Sequence, residues 1–342
     1  MKKFLQNVAW VFFLISLVYF PVTRGYAETT KFNVTPELPQ NQASDATYFD
    51  LLVKKETLQE LTIVLHNTSS EEITIAADAQ NSFTASTGII SYQKKQTAEK
   101  YAGKSFTGFI TKPHQEVQLQ PNEQKKLTFT LDLKDTTFTG EILGAFLFEE
   151  IRQATPSETK ATLQSRYQLE LGVRLRQSLN ELPKPELALI KTKAVEKNGL
   201  PTLMSSISND RPVAFGNISV VTTIRNQENE VVGGFKAENF QFAPNSQLDL
   251  YSEFEQEELV AGTYKIRIEL SSKKGTWVFD DTVKIDPQSA KAINRTTIYA
   301  AAIGQKYTLL YLLIAVIILL VAIIFILLIK RRKKSEESEE SE

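Results

Sequence analysis

Tyr167-Gln168-Leu169-Glu170-Leu171-Gly172-Val173-Arg174-Leu175-Arg176 alternates without a break. Tyr167, Leu169, Leu171, Val173 and Leu175 point one way, and Gln168, Glu170, Gly172, Arg174 and Arg176 the other. Side chains leave a strand on opposite faces in turn, so a period of two describes a strand with one face in a core and one in water. The same period returns at Leu61, Ile63 and Leu65, and at Leu127, Phe129, Leu131 and Leu133. Asn, Gly and Pro bound these runs, and no long apolar stripe of helical period lies between them. The pattern predicts half-buried antiparallel strands at Tyr48–Val53, Leu58–Asn67, Glu72–Ala79, Ile89–Tyr92, Glu116–Leu119, Lys125–Leu133, Gly140–Glu150 and Tyr167–Leu175. That number and spacing suit a β-sandwich.

Leu182-Pro183-Lys184-Pro185 then interrupts the alternation, because two prolines in three residues favour an extended connection. Beyond it the period restarts at Ile218, Val220, Thr222 and Ile224, and again at Tyr264, Ile266, Ile268 and Leu270. A last strand through Trp277, Phe279, Val283 and Ile285 is expected to be interrupted at Asp280-Asp281. The fold class expected is all-β: two tandem immunoglobulin-like β-sandwich domains, residues 28–180 and a smaller one at 181–286, plus one C-terminal transmembrane helix.

The two ends of the chain place it. Lys2 and Lys3, the apolar run Val8 to Phe20 and the small-residue ending Gly25-Tyr26-Ala27 have the order of a secretory signal peptide, residues 1–27. Tyr307 to Ile329 carries no charge and is long enough to cross about 30 Å of hydrocarbon as a helix. Lys330-Arg331-Arg332-Lys333-Lys334 follows directly, so the positive-inside rule puts residues 330–342 in the cytoplasm and the body outside. Residues 287–306, polar and Ala-rich, are expected to form a short helical stalk. The localisation expected is the cell membrane, single-pass, with an extracellular N-terminal body. No L-P-x-T-G run precedes the apolar segment, so attachment is expected through the helix rather than through sortase.

Composition narrows the chemistry. A net charge of -1 argues against nucleic acid as a partner. With no cysteine and two histidines, His66 and His114, a cysteine nucleophile is excluded and a zinc site would need an almost wholly carboxylate ligand set. An exported chain without cysteine fits a Gram-positive surface better than a disulfide-bearing eukaryotic exterior. Glu149 and Glu150 are adjacent on a strand and face opposite ways, so they cannot share a cleft as an acid–base pair. The chain is therefore read as a non-enzyme, with no cofactor and no metal.

Several stretches resemble one family, the WxL-interacting proteins of Gram-positive cell surfaces. Phe32-Asn33-Val34-Thr35-Pro36-Glu37-Leu38-Pro39-Gln40-Asn41-Gln42 followed by Tyr48-Phe49-Asp50-Leu51 is similar to its opening F-x-V-x-P-x-L-P-x-N-Q and Y-F-D-L. Leu119-Gln120-Pro121-Asn122-Glu123 and Gly140-Glu141-Ile142-Leu143-Gly144-Ala145-Phe146 resemble its L-x-P-x-E turn and G-x-I-x-G-G segment. Phe242-Ala243-Pro244-Asn245-Ser246 and Ala261-Gly262-Thr263-Tyr264 resemble its M-A-P-N-S and A-G-x-Y. Lys54-Lys55-Glu56 departs from the family, standing where it often has a Pro-Gly turn, and Ala145 replaces one glycine. The resemblance implies a peptidoglycan-binding first domain, a second domain able to bind host matrix proteins, and association with secreted WxL-domain proteins. Trp10-Val11-Phe12 and Trp277-Val278-Phe279 lack the third-place leucine, so the chain is read as the partner and not as a WxL protein itself.

One segment is a candidate ligand contact. Between Tyr92 and Pro113, Lys94, Lys95, Lys100, Lys104 and Lys112 alternate with Tyr101, Phe106 and Phe109. Cations facing an anionic wall polymer and aromatics stacking on sugar rings are one reading. A solvated loop whose aromatics pack down on the sandwich is the other. The function expected is a membrane-anchored binding protein for peptidoglycan and WxL-domain proteins; the alternative is a structural scaffold of a multi-protein surface complex without glycan binding.

Overall fold

The computed structural model describes residues 30–93, 105–151, 167–180, 182–300 and 310–326. The chain is mostly β. In its first part ten strands form: β1 (Phe32–Pro36), β2 (Phe49–Leu52), β3 (Leu58–Asn67), β4 (Ile73–Asn81), β5 (Phe83–Thr84), β6 (Ile90–Ser91), β7 (His114–Leu119), β8 (Gln124–Asp132), β9 (Glu141–Glu150) and β10 (Gln168–Arg176). A three-stranded sheet, β1-β3-β8, faces a five-stranded sheet, β2-β10-β9-β4-β7, and β5 and β6 make a small hairpin. The alternating residues of β3, β8 and β10 meet in a single core.

Phe146 on β9 is the hub of that core. It stacks on Phe129 from the facing sheet at 4.2 Å and meets Phe106 and Phe49 edge-on at 5.4 and 6.5 Å. Aromatic pairs of this kind add about 0.5–1.5 kcal/mol each beyond the area they bury. One pairing differs from the expected antiparallel pattern: β2 runs parallel to β10, Phe49 opposite Val173.

The second part holds β11 (Leu187–Lys197), β12 (Leu200–Asn209), β13 (Phe215–Arg225), β14 (Val231–Phe242), β15 (Ser246–Phe254), β16 (Gly262–Ser272) and β17 (Gly275–Ile285). They form one seven-stranded sheet in the order β11-β12-β15-β14-β13-β16-β17, where two separate sheets were expected. The sheet folds over at β14–β15, which pair only through Gly233 and Gly234. A Cβ on Gly233 would stand 2.2 Å from the Glu253 carbonyl oxygen, and one on Gly234 2.4 Å from that of Thr222, so only glycine lets the backbones approach this closely. The two halves then enclose a second core. Tyr264 locks one corner, its hydroxyl donating to the Val260 carbonyl at 2.8 Å while its ring packs edge-on against Phe254.

Two further expectations are corrected. β17 is continuous, pairing with β16 from Gly262↔Ile285 to Ser272↔Gly275. Asp280 and Asp281 do not break it, because the edge is solvated and Arg267 donates to both Asp280 oxygens. The expected stalk begins as part of the body. Helix α1 (Pro287–Asn294) is capped by Asp286, which accepts from the Gln288 and Ser289 amides at 2.9 Å. Ala290 is buried, the Asn294 side chain brackets the Leu259 backbone with two 2.9 Å hydrogen bonds, and the Ile298 amide donates to Gly199.

Residues 310–326 are helical, with their large apolar side chains exposed. Among the described residues, no helix is long and apolar enough to cross a membrane. The remainder of the expected span, the signal segment and the cytoplasmic tail lie outside the described residues.

Candidate functional site

Of the expected contact residues, Lys94, Lys95, Lys100, Tyr101 and Lys104 lie outside the described residues, and Lys112 is exposed. Phe106 and Phe109 are corrected: both are core residues of the first unit, at 0% and 5% exposure. They sit on a 3-10 turn, Phe106–Phe109, held by Asn81, which exchanges two 2.8 Å hydrogen bonds with Thr107. The Phe106 ring occupies the space a side chain on Gly144 would need, 2.1 Å from where its Cβ would stand. These rings satisfy the packing reading and present no face to a ligand.

The outer face of the five-stranded sheet presents other groups. The loop before β2 is fastened by amides: Asn41 donates to the Leu52 carbonyl and exchanges hydrogen bonds with Gln59. Gln42 donates to the Tyr48 carbonyl at 2.7 Å and accepts from the Asp50 amide. Asp50, almost fully buried, accepts from Ser44 and takes both of its hydrogen bonds to Arg176 through one guanidinium nitrogen, at 2.8 and 2.9 Å. Tyr48 is thereby fixed beside β10, with its ring 3.8 Å from where a Cβ on Gly172 would stand, and is 38% exposed.

Burial pushes the Tyr92 hydroxyl up to about 12, helped by Glu170, Tyr48 and Glu141 nearby. Burial also raises the Glu170 carboxyl, although its side chain keeps an exposed surface. Gly172 stands opposite Ala145 on β9, so the strip between the Glu170 and Arg174 rows carries almost no side chain. Sequence reasoning put Glu170 and Gly172 on the solvent side but singled out neither. The available signal was a glycine within a strand, which often marks a close approach by another group.

Farther along the same face, His114 bonds Asp78 at 2.9 Å through Nδ1 and lies 3.6 Å from Glu116. The Asp78 hydrogen bond is the main cause of a raised imidazole pKa, with Glu116 adding to it. A raised value means the protonated form is favoured by folding. The resulting stabilisation is complete below about pH 6.5 and fades as pH rises through the folded value. Because the pair is exposed, its size is at most about 1 kcal/mol. An NMR titration should place His114 above a free imidazole, and Asp78→Asn should return it towards the free value.

A second cluster joins the two units. The Thr84 hydroxyl is 2.7 Å from that of Ser246, the Ala243 amide donates to Thr84, and Ser246 donates to the Ala243 carbonyl. Ser246 has one proton, so Thr84 must donate to it, and every member of the ring is satisfied. The Gln241 amide donates to Gly88 at 2.7 Å, and Gly88 has φ 78 with Phe240 against it. At a separate point Glu141, 2% exposed, accepts from the Ala214 amide and from Arg174 Nε, both at 2.6 Å. Its own amide donates to the Pro212 carbonyl. An open depression of about 450 Å³ lies elsewhere, at the folded corner of the second sheet, lined by Val221, Val231, Phe235, Lys236 and Glu253. Among the described residues no group of three or more metal-ligating side chains is placed to hold an ion.

Two family models match this chain: the peptidoglycan binding domain of the WxL Interacting Protein family over residues 32–150, and that family's host binding domain over 158–295. The chain belongs to the WxL-interacting protein family. The second match opens before β10, which the structure places in the first unit's sheet, and closes on α1. The residues that resemble family motifs gather at the places just described: Asn41, Gln42, Tyr48 and Asp50 around β2, and Glu141, Ala243 and Ser246 at the joint.

A comparison with curated proteins finds no match. Among solved structures, the chaperone–tip adhesin complex of CFA/I fimbriae is 11% identical over 74% of this chain and 99% of that one, with a TM-score of 0.32. The CupB2 chaperone of Pseudomonas aeruginosa is 14% identical over 66% and 92%, at 0.25. The CsuC–CsuE chaperone–tip complex of Acinetobacter baumannii is 10% identical over 65% and 90%, at 0.29. Likenesses of that size carry no argument about fold or function.

Proposed function

We propose that this is a cell-surface binding protein whose first unit, within residues 28–180, holds peptidoglycan and whose second, from 181, holds a host ligand. The observation that carries this reading is the order of the two family models, the first lying within the first core and the second covering the whole second core together with β10 of the first. In this reading both units are immunoglobulin-like, a single helix over residues 307–329 anchors the chain, and secreted WxL-domain proteins associate with it. Binding here is recognition without bond-making, in keeping with a family whose two domains are both described as binding domains.

The test is co-sedimentation of the purified full-length chain, in mild detergent, with Gram-positive sacculi stripped of protein. Retention in the pellet that is relieved by soluble peptidoglycan fragments is expected. Recovery of wall proteins from a crude extract, with no retention on stripped sacculi, would favour the scaffold role instead. Because both units sit on one chain, contacts that are weak singly add through effective concentration.

A further inference from the structure

We propose that the free edge of β14, between Gly234 and Gln241, accepts an extended segment of a protein partner as an added strand. The proposal rests on the reading of the second unit as a host-binding unit and deepens it by naming the edge and the backbone chemistry of the ligand. Three observations carry it.

The first is the edge itself. β14 pairs with β15 only at Gly233 and Gly234, and the Val232 carbonyl accepts from the Glu255 amide. Backbone groups of alternate residues leave a strand on the same side, so Lys236 and Glu238 also turn theirs away from β13. Among the described residues no strand pairs with β14 at these two positions on that side, and both are exposed. Unpaired amides and carbonyls in a row are a template for another strand. The second is continuity with the joint. The Gln241 amide donates to the Gly88 carbonyl at 2.7 Å and the Gln241 side chain accepts from the Ile90 amide, so the β5–β6 hairpin of the first unit already lies along this edge at its far end. Asn239, at φ 63, and the shift in register against β13 mark a bulge between the occupied stretch and the open one. The third is apolar surface at the rim. Phe235 and Ala237 belong to the shell of the second core yet are only part-buried. Val221 and Val231, 36% and 48% exposed, line with Phe235 the open depression where β14 and β15 part.

A peptide backbone is the ligand whose donors and acceptors repeat at the spacing of this edge, and every second side chain of an added strand would cover the apolar rim. Lys236 stands beside Val221 on the outer face. A lysine and a bulge blunt an edge against indiscriminate pairing, so the occupant is an alternating segment with a carboxylate opposite Lys236.

The experiment uses the full-length chain in mild detergent with two probes: a seven-residue synthetic peptide alternating valine with threonine and bearing one glutamate, and reconstituted basement-membrane matrix. Saturating peptide is expected to slow hydrogen exchange of the Lys236 and Glu238 amides about tenfold or more, a readout that needs no variant. Lys236→Pro removes the donor on the solvent side, where an edge strand tolerates proline, and is expected to weaken peptide binding about tenfold by calorimetry. Lys236→Ala keeps the amide and is expected to lose only about threefold. Trp277 fluorescence confirms that Lys236→Pro keeps the parent's second core. Lys236 and Glu238 amides left unprotected at saturating peptide overturn the proposal. Matrix held equally by the parent and by Lys236→Pro also overturns it and leaves the host-binding reading standing. Matrix held by neither overturns that reading, and the peptide result then decides the edge by itself. Protection that arises in the parent alone as its concentration rises identifies a second copy as the occupant and overturns the partner named here.

Discussion

Asp50→Ala is expected to lower the stability of the first unit by about 3–5 kcal/mol, the cost of leaving a buried partner charge uncompensated. Asp50 has a side-chain exposure of 2% and Arg176 of 14%. Both hydrogen bonds from the guanidinium go to this one carboxylate, and Arg176 Nε is buried without another partner. Removing the carboxylate also releases Ser44 and loosens the loop that positions Tyr48. Hydrogen exchange on β2 and β10 should report the loss. Trp277, in the second core's shell, provides an internal control by fluorescence, since it should unfold as in the parent. Asp50→Leu combined with Arg176→Met should recover much of the loss, because paired removal leaves no orphan charge. Unchanged exchange in Asp50→Ala would show that the pair is not held as described.

The second large effect is expected at the joint. Glu141→Ala orphans the Ala214 amide and unpairs Arg174. Arg174 can turn to water at 26% exposure, so the Ala214 amide dominates the cost. About 2 kcal/mol, a factor of about 30 in the docked-to-undocked ratio, is the scale for one buried group left unsatisfied. Adding Thr84→Val breaks the hydroxyl ring at the other contact and should compound the effect. Spin labels placed on exposed β7 and β16 positions would read it as a broadened inter-unit distance distribution, while each unit keeps its own unfolding transition. A distribution as narrow as the parent's in the double variant would argue that packing at Phe240 and the backbone hydrogen bonds at Gly88 and Pro212 hold the units.

How much of this was legible in the sequence follows from the residues concerned. β3 is found at Leu58–Asn67 as expected, because Leu61, Ile63 and Leu65 fall on one buried face while Thr62 and His66 fall on the other. β12 is not legible in the sequence because its apolar Leu203 and Ile207 alternate with Ser205 on the same face, and small hydroxyls blur a period of two. β1 does not show as a strand in the sequence, since Pro36 ends it and only Phe32 is fully buried. The contact loop misled because aromatic residues near lysines look alike in sequence whether they face a ligand or a core. Phe106 turns inward only because Gly144, nearly forty residues away, leaves the space. The joint was invisible for a similar reason: its motif residues were recognised as a resemblance, but nothing in their spacing says that Ser246 meets Thr84.

That joint has two separate points of attachment, the hydroxyl ring at Thr84 and the carboxylate at Glu141, and two points fix both bend and twist. If the proposed function holds, the two binding units therefore act as the jaws of a caliper set to one gap. A soluble glycan or a soluble host protein engages one jaw and senses nothing of the other. A layered target that presents both ligands at the set spacing closes on both with no further orientational cost, so the chain responds to the architecture of its surroundings as well as to their chemistry.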